Sequence, residues 1–414
     1  MQTTQIRKLL RDRRGAVAMI LALGTPVLIG GMGLSIDTIQ WTLAKRQLQR
    51  QADSGAIAGA FGLAQGASVQ STVSGDLTRN TSLPLSTTVI ENAPTAGPEA
   101  GNPRAVRVAI ATEMNLPFSG FFVGGPVEIP AEATASMVSN GQYCALSLEN
   151  TTATGITMWG SSTVNLGCGM ATNSRGNTAV AAGGSSRITA SPIAAVGVVP
   201  NSSNYGPGTD LISYSVSQPD PFAGLPNPTV SGGYSNGNVN SNQTRTLNPG
   251  NYRGMDLKGT VTLNPGVYIV DGGTFSVGAQ ARVTGEGVTI ILTSATAAGN
   301  PNSIAQADMN GGAMVNLKAP SSGTYKGVLF YQDRRATLSN KSNKLNGNSS
   351  STIQGAIYMP GQEVEFTGNT GMNTNCVQLV ARQIKFNGNS EINNVCPANS
   401  GSQAFVGTAI RLVG

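Results

Sequence analysis

Residues 15 to 36, GAVAMILALGTPVLIGGMGLSI, contain no charged side chain. About 20 such residues cross a bilayer core of roughly 30 Å as one helix. Ahead of them lie Arg7, Lys8, Arg11, Arg13 and Arg14 against Asp12 alone, and a basic flank of this kind stays in the cytoplasm. The expectation is a cytoplasmic flank at 1–14, a single transmembrane helix at 15–36, and a chain that lies beyond the inner membrane after Asp37. A cleaved signal peptide is the competing reading, but no small-x-small site follows the apolar run closely, the Ala-x-Ala-like stretch lying as far on as Ala58 to Ala60. A buried soluble helix would have a polar face, which this run lacks. Arg13 and Arg14 run directly into Gly15, unlike a twin-arginine signal, and no acidic residue follows Gly15 as it would in a prepilin.

The helix is expected to continue through residues 37–65, which hold no Pro and are rich in Ala, Leu, Gln, Lys and Arg. Ile39, Leu43, Ala52, Ala56 and Ala60 recur near helical spacing as a stripe of small apolar groups suited to close helix packing. Trp41 falls where an interfacial aromatic would, with Lys45, Arg46 and Arg50 toward water or headgroups.

The order of these features, RRGAVAMILALGTPVLIGGMGLSIDTIQWTLAKRQLQRQADSGAIAGA, resembles the N-terminal segment of TadE/TadG-like proteins of tight-adherence (Flp) pilus systems. In that family a basic flank, an apolar helix interrupted by Ala, Gly and Pro, an Asp, an aromatic and an Ala-Asp-Ala helix follow one another. The last element here reads Ala52, Asp53, Ser54, Gly55, Ala56. The resemblance runs from Arg13 to Ala60 and implies an inner-membrane-anchored envelope protein connected with pilus assembly. Many TadG proteins also carry a von Willebrand A domain with an Asp-x-Ser-x-Ser metal site, and no such triplet occurs here. Arg11, Arg13, Arg14, Asp37 and Trp41 are the expected anchor and orientation residues. Ala52, Asp53, Ala56 and Ala60 are the expected contacts to a partner helix.

The net charge of +6 would suggest a nucleic-acid partner if it were spread along the chain. Eight of the 26 Lys/Arg but only three of the 20 Asp/Glu lie in residues 1–60, so the remainder is close to neutral and lacks that footprint. Residues 66–142 read as a small α+β module on which the long helix packs. Val106, Val108 and Ile110 alternate as a half-buried strand, as do Val127, Ile129, Ala131 and Ala133. Leu116, Phe118, Phe121 and Phe122 in the intervening loop are read as core or lip, with a membrane-touching loop as the alternative.

From residue 143 to 400 the chain repeats. GSSTVNL at 160–166 returns as GSSRITA at 184–190, and LNGN, FTGN and FNGN recur at Leu345, Phe366 and Phe386. Short alternating strands with Gly/Asn corners, recurring at roughly the 20-residue spacing of solenoid repeats, predict a right-handed parallel β-helix-like solenoid, making the chain mostly β. Residues 199–250, dense in Pro, Asn and Ser, form an excursion over the wall, where Phe222 and Leu225 could cover an apolar coil edge. Residues 401–414 are a tail with a loosely alternating strand. The segment from Cys144 also resembles the C-terminal part of TadG-like proteins, through Asp220 to Pro228 and the NPGVY at Asn264 to Tyr268.

Equivalent positions of adjacent coils lie about 4.8 Å apart, within disulfide reach. This predicts pairs Cys144 with Cys168 and Cys376 with Cys396, although four cysteines allow three pairings. Such pairs suit an oxidising periplasm. No His and no Cys-x-x-Cys is present, so no metal centre or other cofactor is expected. For a polysaccharide-active enzyme on this architecture the candidates are Glu363 with Glu365, read as a solvated outer face, and the Asp333, Arg334, Arg335 cluster. The functional expectation is a structural or assembly component acting through protein contacts with pilus-system membrane proteins or pilin. A pilus-associated adhesin or minor pilin that meets glycan or a host surface is the alternative, and the enzyme is a second one.

Overall fold

A computed structural model describes residues 14–80, 82–338, 342–348, 350–368, 371–388, 391–395 and 405–413. The chain forms two compact units, Met1–Val138 with Ile410–Gly414, and Ser139–Ala409.

The first unit is built on α1, Arg14–Ala64, a single helix of 51 residues with Pro26 inside it. Pro26 cannot donate to the carbonyl one turn back, which ordinarily weakens a helix. The hydroxyls nearby turn inward: Thr25 donates to the Leu21 carbonyl at 2.6 Å and Ser35 to that of Gly31 at 2.7 Å. These side chains therefore need no water. After α1 come α2, Val69–Asn80, and three strands, β1 at Thr87–Asn92, β2 at Ala105–Met114 and β3 at Val127–Ser147. β2 pairs antiparallel with both neighbours, Val108 standing between Ile90 and Ala133. Period-2 alternation turns Val106, Val108 and Ile110 of β2, and Ile129, Ala131 and Ala133 of β3, onto the core.

The face of α1 that meets this sheet repeats every fourth residue: Ala44, Leu48, Ala52, Ala56 and Ala60, all buried. Small side chains bring the helix backbone close to the sheet. At Gly59 a β-carbon would lie 2.7 Å from Val73 Cγ2 and 2.8 Å from Val106 Cγ1, so even alanine exceeds the available space. Ile39 and Leu43, expected on the same stripe, point away and are exposed. At 3.6 residues per turn the buried phase runs through 44 and 48, which leaves 39 and 43 off that face.

In the second unit three strands make each coil and like strands stack in parallel, giving a β-helix-like solenoid with three sheet faces. The repeat that returns GSSTVNL as GSSRITA is one coil: Thr163 pairs with Arg187, Val164 with Ile188 and Asn165 with Thr189. Gly160 and Gly184 turn the same corner at positive φ, and a β-carbon on Gly184 would lie 2.7 Å from the Gly160 carbonyl oxygen. Coil length is less regular than the sequence repeats suggest. Val364 pairs with Ile384 across a short coil, whereas the coil that brings Phe330 onto Ile290 is twice as long. The surplus goes into loops between strands and leaves the stacking register intact.

Coil order in space differs from coil order in the chain. The first coil pairs on one side with Gly169–Thr172 and Val180–Ala182. On its other side it pairs with the strand Gly371–Gly388, from late in the chain, Leu379 facing Ala145 and Ile384 facing Ile156. The chain therefore enters the stack in the middle and winds outward as far as Leu211–Ile212. It then passes outside the coils to the far end at Tyr234–Ser235 and winds back until its last coil closes on its first.

The outside passage is a strap. The Gln218 main chain is held at both ends by the Asn173 side chain, its N–H donating to Oδ1 and its carbonyl accepting from Nδ2. Further along, Phe222 packs on Tyr358 with ring centroids 5.2 Å apart, and Tyr331 donates to the Pro226 carbonyl at 3.1 Å. Phe222 and Leu225 cover an outward row that includes Ile291, Val328, Tyr331, Tyr358 and Val380. Strands under the strap are thus buried on both sides and read as continuous apolar runs, as in Val288–Thr293 and Val328–Gln332. Strands on the other faces alternate, as in Thr260–Leu263 and Thr274–Val277.

Candidate functional site

The anchor candidate is the exposed length of α1. Leu23, Val27, Leu28, Ile29, Met32, Leu34 and Ile36 are all exposed, and no part of the most apolar window is buried. A helix of this length and composition can cross a bilayer. Arg11 and Arg13 lie outside the described residues, as does the Arg14 side chain, although Arg14 opens α1.

Where this apolar surface ends, Asp37 is buried. Its carboxylate accepts backbone N–H groups of Phe118, at 3.1 Å to Oδ2, and of Ser119. A buried carboxylate is tolerated when such donors replace water. Asp37 therefore fastens the β2–β3 loop to the helix, a role invisible in sequence because its partners are so distant along the chain. Trp41, one turn on, is 40% exposed. Arg46 and Arg50 are exposed, while Lys45 donates to the Pro130 carbonyl.

The residues assigned to a partner helix are placed differently. Ala52, Ala56 and Ala60 are fully buried against Val73, Leu77, Val106 and Val108 of the same chain. Their close-packing surface is already covered, so it is not offered to another helix. Asp53 is half-buried and accepts from Gln49 Nε2 at 2.9 Å. The aromatic loop also departs from expectation. Leu116 is buried, but Phe121 and Phe122 form neither core nor lip and point outward.

In the solenoid a disulfide joins Cys144 and Cys168, with Cα atoms 5.9 Å apart across adjacent coils. The Cys376 side chain and Cys396 lie outside the described residues. The Asp333, Arg334, Arg335 cluster binds the strap. Arg334 Nε donates to Tyr358 Oη at 2.8 Å and Nη1 to the Leu225 carbonyl at 2.8 Å, and Arg335 Nη2 donates to the Pro228 carbonyl at 3.1 Å. Fully buried Asp333 holds Arg335 at 2.5 Å and accepts from Thr293 Oγ1 at 2.7 Å. Burial pushes the Asp333 carboxyl up, but these hydrogen bonds and the Arg335 charge outweigh it and leave the pKa below the usual aspartate value. Glu149 repeats the pattern: burial raises it, while Thr151 and Arg382 bring it below the usual range.

Glu363 and Glu365 flank buried Val364, yet their face is not the solvated one expected. Glu365 is buried and pairs with Lys385 at 3.0 Å, in register on the next coil. Burial holds the Glu363 carboxyl above the usual value, and Glu365 adds to this against the pull of Lys385. A polar cleft of about 740 Å³ lies elsewhere on the solenoid, among Tyr234, Arg253, Asp271, Ser294, Thr296 and Gln306. There Tyr234 donates to Asp271 Oδ2 at 2.5 Å, and the Arg253 guanidinium sits 4.3 Å over the Tyr234 ring. Sequence reasoning missed this cleft because its residues come from different coils. Among the described residues no group of three or more Cys, Asp or Glu side chains is arranged to hold a metal ion.

The helix with an exposed apolar half, the acid at its end and the small-residue half behind it has a counterpart among known families. Residues 15–65 match the family described as putative Flp pilus-assembly TadE/G-like. This TadE/G-like segment coincides with α1 almost from end to end, so the match spans both the exposed half and the half buried in the module. No curated protein and no solved structure matches the chain.

Proposed function

We propose that this chain is an inner-membrane-anchored structural or assembly component of a tight-adherence pilus system. The observation that carries the reading is the coincidence of the TadE/G-like segment with α1, whose first half is apolar and exposed. Under this reading the basic flank before residue 15 keeps the N-terminus in the cytoplasm, and the module and solenoid stand in the periplasm. The Cys144–Cys168 disulfide accords with that compartment. The chain acts through protein contacts and needs no cofactor. Its partners are other membrane proteins of the system, or pilin, reached through surfaces other than the covered alanine stripe.

Cell fractionation tests this reading. Surface filaments are sheared from cells, and both the sheared fraction and the inner membrane are probed for the chain. Retention in the inner membrane, with cross-links there to other pilus-system proteins, is the expected result. Recovery in the sheared filaments would replace the assembly role with a pilus-associated adhesin or minor pilin. One observation favours that second reading: the cleft combines an aromatic ring, a guanidinium, a carboxylate and hydroxyls, a chemistry suited to glycan hydroxyls.

A further inference from the structure

The loop between β2 and β3 is free of charge from Met114 to Val127, between Glu113 and Glu128, which face each other in register and are exposed. Its one-turn helix α3, Gly120–Val123, carries Phe121, Phe122 and Val123 at 88, 77 and 66% exposure. The described residues of the module leave most of their surface uncovered. Three adjacent large apolar side chains this exposed are uncommon on a surface that meets only water.

The position of the loop along α1 says what covers it. The Phe118 ring lies on Gly33 so closely that a β-carbon there would collide with it, and it reaches within 3.8 Å of a β-carbon placed on Gly30. Phe118 in turn packs on Phe122 with ring centroids 5.3 Å apart. Gly30 and Gly33 lie in the uncharged run, one to two helical turns before Asp37, or roughly 6–10 Å along the axis at about 1.5 Å per residue. That is the depth to which interfacial apolar groups enter a leaflet, about 5–10 Å. Ile29, Met32 and Ile36, in the same stretch of α1, are exposed as well. Asp37 sets the depth by holding the Phe118 and Ser119 amides at the end of the run.

We propose that this loop is a membrane wedge: Phe121, Phe122 and Val123 insert among the acyl chains of the leaflet on the Asp37 side of α1. The helix and wedge together give the module two points of attachment, which fixes its rotation about the helix axis. The occupant is lipid chain rather than headgroup, since the loop offers no charge to a headgroup. The proposal rests on the membrane-anchor reading above.

The test places a single tryptophan reporter in the full chain, with Trp41 and Trp159 changed to Phe, in phosphatidylcholine–phosphatidylglycerol vesicles containing lipids spin-labelled at shallow or deep acyl positions. Three variants are compared: Phe121→Trp in the wedge, Leu28→Trp in the helix and Val89→Trp on β1. The reporter at 121 is expected to be blue-shifted and to lose at least half its emission to the shallow label, the reporter at 28 to respond more to the deep label, and that at 89 to neither. If position 121 behaves like position 89 while position 28 is quenched, the wedge is wrong and the anchor stands. If position 28 is also unquenched, the anchor reading fails and the wedge with it. A blue shift at 121 without lipid quenching would mean that protein, such as a second copy, covers the loop, and would overturn the proposal.

Discussion

The two halves of α1 are both apolar and are built for different neighbours. From Leu21 to Ile36 the large side chains Leu, Val, Ile and Met stand exposed, and the glycines among them include positions with open space around them, such as Gly24 and Gly31. From Ala44 to Ala60 the contact side chains are mostly alanine, and Gly59 has no room for a methyl group. Bulky groups suit a fluid solvent of lipid chains, where no particular shape is required. Small groups let a rigid sheet approach a helix backbone, where shape decides the fit. Hydrophobicity alone would rank the first half as the better core, and the structure leaves that half uncovered.

Paired substitutions would break this comparison if it is wrong. Leu48→Ala removes a fully buried side chain and is expected to cost about 2–5 kcal/mol of module stability. Leu28→Ala, in the exposed half, should stay within about 0.5 kcal/mol. Urea unfolding of the detergent-solubilised chain, followed by protease resistance of the module, measures both, and equal losses would end the distinction.

Glycine gives a second pair with a smaller effect. Gly59→Ala forces a methyl group against Val73 and Val106 and should destabilise by about 2 kcal/mol. A β-carbon added at Gly31 would meet nothing within 4 Å beyond the helix's own backbone, so Gly31→Ala should be neutral or gain up to about 1 kcal/mol of helix propensity. The same unfolding assay reads the pair.

At the junction of the halves, Asp37→Ala removes the acceptor for two amides. Losing charge-assisted hydrogen bonds of this kind costs about 1.5 kcal/mol or more. The loss should appear as faster hydrogen exchange at Phe118 and Ser119, with Val106 and Val108 unchanged. Acceleration across the whole sheet would mean that Asp37 supports the fold rather than the loop alone.

Acid should give the smallest effect and sharpen the contrast. The hydroxyl of Thr95 and the guanidinium of Arg107, 3.0 Å away, hold the Glu91 carboxyl below its usual pKa. A pKa lowered on folding contributes stability that is full above the unfolded value and is lost as pH falls through the folded one. The module's Tm should therefore decline slightly between about pH 5 and pH 3. Residues 21–36 carry no titratable group, so lipid quenching of a reporter at 28 should not change over the same range.

Some of this was legible because the signal is local. The uncharged run, the alternation of Val106, Val108 and Ile110, and the GSS repeat that became Thr163 beside Arg187 each depend on spacing within one element or one coil. Phase was harder. Ile39 and Leu43 fit a helical stripe as well as Ala44 and Leu48 do, and only the sheet's position selects between them. Charge was hardest: Asp333, Arg334 and Arg335 look like site chemistry in a linear reading. They are the strap's fastening, because the carbonyls of Leu225 and Pro228 arrive from a distant part of the chain.

By itself the sequence determined that the chain has one membrane-length apolar helix and that its C-terminal region stacks short parallel strands. Both follow from periodicity and the need to satisfy every backbone amide within a helix or between coils. Only the tertiary structure decided that the first coil sits in the middle of the stack, closed by the last, with residues 213 to 233 carrying the chain from one end to the other. The reason is physical: a coil edge presents the same row of N–H and C=O groups to any other coil, so pairing chemistry does not encode order. Order is set by which inward side chains fit together and by how far a connecting segment must reach.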